Sequence, residues 1–383
     1  MKSSRSSACQ PTSHQEVLLD AILLSGDQAV EAWRSWQRDG DIDHLDPASF
    51  QIMPLLYWSL ARQGVDDPLM GKLKGIYRMA WSRNQWLTSR VLPALRALHE
   101  QGVSMMLLKG AALNTLYGEQ FGARLIGDVD ILVQQGDAQR AAEIVEDLGW
   151  IPTDDPPKVT ADSISVTKGV GLVRPGGGAL DLHWRLFPED QAAAHEDPAW
   201  RYAIAAPIAG VPTLAPNPTE MLMHVCVHGW AWSPHPPFRW VADSMTILRT
   251  SSTKIDWERL TEDARRRRLV PQLEAALTYL QARFGADVPM RVLTNLRATP
   301  TSRLDRFEYR AKTRRLRTPA GGLTLHVLQF HRLREEAGLG SGIIGFLDYL
   351  RREWRLERVA QVPLRMGIKL TRRFTRYLRR EAV

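Results

Sequence analysis

The sequence predicts an α+β protein in which helical regions bracket a stretch of short strands. Apolar residues recur at three- and four-residue spacing from Glu16 to about Gln101, and again from Glu220 to Phe284, the period of helices with one buried side. Between these regions the pattern changes to short runs, VSMMLL (103–108), DVDILV (128–133) and ALDLHWRL (179–186), which are wholly apolar or alternate with period two. Glycine-containing segments separate these short runs, as turns require.

In chain order, EVLLDAILLSGDQAVEAWRSW and FQIMPLLYWSLARQG read as helices. A longer helix from about Gly75 to Gln101 places Trp81, Trp86, Leu87, Val91, Leu95 and Leu98 on one broad side, and Gly102 stops it. The 13 tryptophans are expected to be packing residues. VSMMLL is the kind of strand that is buried on both faces. The chain then turns at Lys109-Gly110, and a helix follows from Ala111 to Gly118. Gly122–Gly127 is a loop, 128–133 the next strand, and Asp137–Leu148 a helix with Ala141, Ile144, Val145 and Leu148 facing in. Two or three strands are expected from Ser163 to Leu186, separated by Gly169-Val170-Gly171 and by RPGGG (174–178). Four prolines within 207–218 mark a boundary, and helices follow at Glu220–Trp232, Phe238–Arg249, Trp257–Arg267 and Val270–Phe284. Four regions are expected: 1–101 helical, 102–215 an α/β core, 216–300 helical on the substrate side, and 301–383 basic and helical.

With 383 residues, 44% hydrophobic and 24% charged, the chain can bury a sizeable core. No run of about 18 uncharged apolar residues is present, so no membrane span is expected. The start, MKSSRSSACQPTSHQ, lacks the apolar centre of a signal peptide, which makes cytoplasm the expected address. Cys9 and Cys226 are too few for a disulfide framework or a cysteine-based zinc site. The net charge of +8 is unevenly placed: from Thr301 onward 20 Lys+Arg stand against 8 Asp+Glu, a balance of +12. The tail LRMGIKLTRRFTRYLRREAV reads as a basic helix with an apolar stripe of Leu364, Ile368, Leu370, Phe374 and Leu378. Such a helix either packs on its own protein or contacts an anionic surface, of membrane or nucleic acid.

The chemistry concentrates on acids. Asp128 and Asp130 stand at i and i+2 on a strand and therefore share a face. Paired carboxylates suit Mg²⁺, which takes hard oxygen ligands and neutralises phosphate charge in phosphoryl and nucleotidyl transfer. Lys109-Gly110, between a strand and a helix, is a phosphate-binding candidate, because glycine admits close approach and the helix N-terminus favours anions. It is not a Walker loop. On ALDLHWRL alternation puts Asp181, His183 and Arg185 on one face, where Asp181 could complete a metal site or act as general base. Glu220, His224 and His228 share a helix face, either packed, cleft-lining or zinc-binding. Arg239 and Asp243, one turn apart, pair with each other or face the cleft, with Asp243 a substrate candidate.

LLKGAAL, then Arg124 with three residues between it and the Asp-x-Asp strand, then ALDLHW, together resemble the uncharacterised nucleotidyltransferase family of bacteria, a distant branch of the polymerase-β-like nucleotidyltransferases. The resemblance spans roughly residues 20–250, including the leading helices and WVADSMTIL. It implies a small mixed β-sheet core flanked by N-terminal and C-terminal helical regions. It matches Asp128, Asp130 and Asp181 to the catalytic, metal-binding acids and Gly110 to the glycine of the nucleotide-binding turn. Ala111 stands where the wider superfamily usually has serine, and Lys109 would substitute for that contact. Arg124 becomes a candidate for a triphosphate or acceptor contact. The expected nucleotide-binding residues are thus Lys109, Gly110, Arg124 and His183. The expected activity is Mg²⁺-dependent transfer of NMP from an NTP to a hydroxyl acceptor (small molecule, sugar, peptide or protein), releasing pyrophosphate. The rivals are a non-catalytic nucleotide-binding or regulatory protein on the same fold, and an interaction protein acting through the basic tail.

Overall fold

Four helices lead the chain, each started by local chemistry. Thr12 caps α1 (Ser13–Leu23) by accepting the Gln15 N–H, and the Gln15 side chain returns the bond to the Thr12 N–H. α2 (Asp27–Asp39) follows, and Asp46 caps α3 (Pro47–Arg62) with Pro47 at its first position. α4 (Met70–Glu100) runs 31 residues, about 46 Å at helical rise. The structure is a computed structural model that describes residues 9–116, 122–153, 159–188, 197–230, 238–249, 255–313, 321–369 and 371.

The stripe that α4 buries is Leu73, Ala80, Asn84, Leu87, Val91, Ala94, Leu95 and Leu98. Trp81 and Trp86, expected on that side, are exposed instead. Each sits one residue off the stripe and so about 100° around the helix. Trp86 nevertheless makes a specific contact. Its ring lies over the backbone of Gly177, and Arg90 Nε donates to the Gly177 carbonyl at 3.0 Å, so together they cover the RPGGG turn.

The middle of the chain builds one mixed seven-stranded sheet. Its elements are β1 (Met105–Leu107), α5 (Lys109–Leu116), β2 (Val129–Val133), α6 (Ala138–Asp147), β3 (Ile151–Pro152), α7 (Ala161–Ile164), β4 (Gly169–Val173), β5 (Ala179–His183), α8 (Pro198–Arg201), β6 (Ile204–Ala205) and β7 (Leu214–Ala215). The strand order is β3-β4-β5-β2-β1-β7-β6. β2 runs parallel to β5 and β1 parallel to β7, while the remaining neighbours are antiparallel. The proline-rich segment 207–218 therefore supplies a strand next to β1 rather than only a boundary. Gly169-Val170-Gly171, expected as a break, lies inside β4. The two glycines stand there because of close approach: a Cβ on Gly171 would lie 2.9 Å from Thr153 Oγ1 and 3.2 Å from Asp181 Oδ1.

Helices α9 (Pro218–Gly229), α10 (Arg239–Arg249), α11 (Trp257–Arg266) and α12 (Val270–Phe284) follow where expected, although Trp232 lies outside the described residues. α13 (Met290–Ala298), α14 (Arg303–Thr313), α15 (Gly321–Leu333) and α16 (Gly342–Glu353) complete the chain with a helical stretch at 362–369. Leu370, Phe374 and Leu378 of the expected tail stripe lie outside the described residues. One hydrophobic core runs from Cys9 to Leu296. α4 packs on β2 and β5, while α5 packs on β2 and α9. A second, smaller core gathers Val166, Phe330, Leu333, Leu339, Tyr349, Leu350, Trp354 and Val362. Among the described residues no helix is long and apolar enough to cross a membrane.

Candidate metal and nucleotide site

Strand register brings the acids together. Because β2 and β5 run parallel, Asp130 pairs directly with Asp181, and both side chains leave the sheet on the same face. Gly171 flanks Asp181 on its other side and lets the Asp181 carboxylate and Thr153 approach closely. His183, two residues beyond Asp181, reaches back so that its Nε2 lies 2.9 Å from Asp130 Oδ1. The ligand atoms of Asp130, Asp181 and His183 all lie within 4.8 Å of one another. Two carboxylates facing each other across neighbouring strands repel unless a cation sits with them. Here the Lys109 ammonium does so, with Nζ 2.5 Å from Asp130 Oδ1. The donor set, hard oxygens with one imidazole on a largely buried face, fits a small divalent cation.

The turn between β1 and α5 is tighter than the sequence suggests. The left-handed backbone falls on Lys109, at φ +46°, and not on Gly110. A non-glycine residue in that region is strained by about 1 kcal/mol or more. The Leu108 N–H donating to the Asp130 carbonyl at 2.9 Å, and the Lys109–Asp130 ion pair, hold it there. Gly110 serves close approach: a Cβ at that position would meet Arg124 Nη1 at 2.0 Å and Ile126 Cγ2 at 2.6 Å. Arg124 thus lays its guanidinium over the first turn of α5.

Asp243 on α10 fixes that guanidinium. Arg124 Nε donates to Oδ1 at 3.1 Å, and its Nη2 to Oδ2 at 3.0 Å, a bidentate pair. The Arg239–Asp243 pairing read from spacing is replaced by this one, and Arg239 Nη1 instead donates to the Leu125 carbonyl at 2.7 Å. Burial and the neighbouring Arg124 bring Arg239 down to about 10. From the other side Asn84, fully buried in α4, clamps the same loop. Its Nδ2 donates to the Arg124 carbonyl at 2.8 Å and its Oδ1 accepts the Ile126 N–H at 3.0 Å. Asn114 adds a second donor to the Arg124 carbonyl.

The two acids of the Asp-x-Asp strand carry opposite electrostatics. Burial works against ionisation of Asp130, but the His183 hydrogen bond and the Lys109 ammonium outweigh it and hold the carboxyl well below the usual carboxylate range. Asp128 lies just before β2, and burial, with the charges of Asp130 and Asp181, pushes its carboxyl up. His183 is lowered by burial more than its bond to Asp130 raises it, and its Nε2–H donates to the Asp130 carboxylate, which can only accept. Lys168, just before β4, is lowered by burial and by Lys109, while Asp130 and Asp181 pull it back.

The structure thus brings Lys109, Asp128, Asp130, Asp181 and His183 into one electrostatic group, with Gly110 and Arg124 at its rim. Asp128 stays outside the close trio. Arg185 leaves the expected face, because β5 ends at His183 and the Arg185 guanidinium turns to Glu336 Oε1 at 3.2 Å and the Ser165 carbonyl. On the Glu220-His224-His228 face Glu220 and His224 are packed, while His228 is exposed. Glu220 pairs with Arg259 at 2.9 Å, and burial pushes it up to about 7 despite that arginine. Buried His224 stands edge-on to Phe187 at 5.5 Å. Neither Lys168, Asn84 nor Asn114 stands out in the sequence as a site residue. Only Asn84 leaves a signal there, as a lone polar residue on the buried stripe of α4, where an amide must find partners.

Neither the curated proteins nor the solved structures contain a match to this chain. Residues 48–285, more than half of the chain, match the family described as uncharacterised nucleotidyltransferase, and this span holds every site residue from Asn84 to Arg259. The chain belongs to that family, and with it to the transferase class of enzymes.

Proposed function

We propose that the protein transfers NMP from an NTP to a hydroxyl-bearing acceptor, with release of pyrophosphate. The observation that carries the reading is the register pairing of Asp130 with Asp181, which holds two carboxylates on one buried sheet face with Asp128 beside them. These three acids would hold Mg²⁺, which when bound neutralises charge on the triphosphate oxygens. The N-terminal turn of α5, with Lys109 and the clamped Arg124, receives the phosphates. His183 keeps Asp130 ionised and oriented through Nε2–H. Asp181 takes the proton of the attacking hydroxyl. Leu125, next to Arg124, lines an open cavity of about 560 Å³ together with Ile42, Phe50, Ile76 and the Asp43–Lys72 ion pair, and this is the proposed acceptor side.

The test is pyrophosphate release by purified protein with Mg²⁺ and each NTP across a panel of sugar, small-alcohol and protein acceptors. Asp128→Asn combined with Asp130→Asn should abolish it, and retained release would refute the site. A second reading, nucleotide binding without turnover, is favoured by Ala111 in place of serine and by the engagement of Lys109 with Asp130. Calorimetric NTP binding with no release across the panel would select it.

A further inference from the structure

The most exposed large apolar side chains lie outside the acid cluster. Among the described residues the three most exposed are Ile344 at 83%, Ile343 at 79% and Leu364 at 71%. Nine of the seventeen exposed large hydrophobics among the described residues fall after residue 300, in the segment that carries the +12 balance. Exposed isoleucines scattered singly need no explanation, but an adjacent pair within the basic part of a chain does.

The fold presents this pair rigidly. Gly345, next to it, is buried so closely against the Gly340 carbonyl that a Cβ there would stand 1.7 Å from that oxygen. The segment before α16 is thereby folded back onto the start of the helix, and Ile343 and Ile344 lie exposed in its first turn. Phe346, Leu347, Tyr349 and Leu350 on α16, and Trp354 just after it, pack in the same small core as Val362 and Met366 of the 362–369 helix. That helix buries Val362 and half-buries Met366 on one side, so Leu364 and Ile368, about half a turn away, face outward. Lys369 lies over the Trp354 ring, its Nζ 4.5 Å from the centroid, and Arg358 is exposed nearby in sequence. Five further arginines, Arg372, Arg373, Arg376, Arg379 and Arg380, follow in the sequence.

We propose that this C-terminal region docks the protein on an anionic phospholipid surface, with Ile343 and Ile344 inserting below the headgroups and the Arg and Lys that the region carries in excess contacting lipid phosphates. Charge decides among occupants. A second copy of the chain would set +12 against +12. A nucleic acid offers the basic residues a partner but gives aliphatic side chains no apolar medium. An anionic bilayer satisfies both, since apolar insertion and headgroup attraction add at an interface. The inference goes beyond the nucleotide site and does not depend on it.

Co-sedimentation of the full chain with vesicles tests it. Binding is expected to vesicles containing phosphatidylglycerol, weakened by salt, and not to phosphatidylcholine alone. Ile343→Asp with Ile344→Asp should lower partition about 100-fold, from the apolar area withdrawn. Leu364→Asp, on the other exposed helix, should lower it by a smaller factor. All three positions are solvent-exposed, so the variants should keep the wild-type near-UV circular dichroism. Absence of vesicle binding, or binding unchanged in both variants, would overturn the proposal. So would an oligonucleotide that binds more tightly than the vesicles and is indifferent to the isoleucine substitutions.

Discussion

Asp130 and Asp181 are register partners on adjacent parallel strands, 51 positions apart in sequence and side by side on one buried sheet face. With His183 they form the one group of metal-compatible side chains found among the described residues. Asp181→Asn should therefore lower divalent-cation affinity by at least about tenfold, since a change even to an outer partner of a metal ligand costs that much. Titration with Mn²⁺ followed by calorimetry or magnetic resonance reads the change directly, without any acceptor.

Lys109 stands on Asp130 where a cation is expected to bind. Removing it frees that oxygen at the expense of one ion pair. Lys109→Met should raise Mn²⁺ affinity in the absence of nucleotide, by about tenfold for a pair of this modest exposure. The same variant should bind NTP less well, because the turn loses a cation. A fall in both affinities would show that Lys109 organises the metal site instead of competing for it.

Arg124 and Asp243 join the loop before β2 to α10 through a bidentate pair with little solvent exposure. Asp243→Asn leaves a guanidinium buried without its charge partner and should cost about 3 kcal/mol in urea unfolding. Arg124→Met combined with Asp243→Asn should be more stable than the sum of the single changes predicts, by about 1 to 3 kcal/mol of coupling. Additivity would mean that the pair adds no coupling energy to the fold.

Acid titration should separate the two strand acids. Asp128 has a folded pKa raised above its ordinary 3.8, so its contribution is fully present below pH 3.8 and is lost as pH rises through the raised value. Asp128→Asn should then stabilise the metal-free protein at pH 7 and make no difference below pH 3.8. Asp130 is held below 3.8, so its stabilisation is present above 3.8 and lost as pH falls through the folded value. Asp130→Asn should destabilise at pH 7. Urea midpoints measured across pH distinguish the two, and like signs for both variants would contradict the electrostatics described.

Periodicity alone determined the helices on either side, the buried strand at 105–107, the Asp-x-Asp strand and the α+β class, because each of these is encoded by neighbours within a few residues. It also placed Asp128 near Asp130 and His183 near Asp181, since alternation on one strand is local. What only the tertiary structure decided is which strands lie side by side and in what register. A one-residue slip between β2 and β5 would have put the two acids on opposite faces. The same holds for Trp86, whose place over Gly177 depends on how α4 crosses the sheet, and for Arg124, whose partner Asp243 is 119 residues away. Gly171 looked like a break because a missing side chain has the same symbol whether it makes a turn or makes room. Contacts closed over such distances leave no periodic trace in the chain, and they are the contacts from which this site is made.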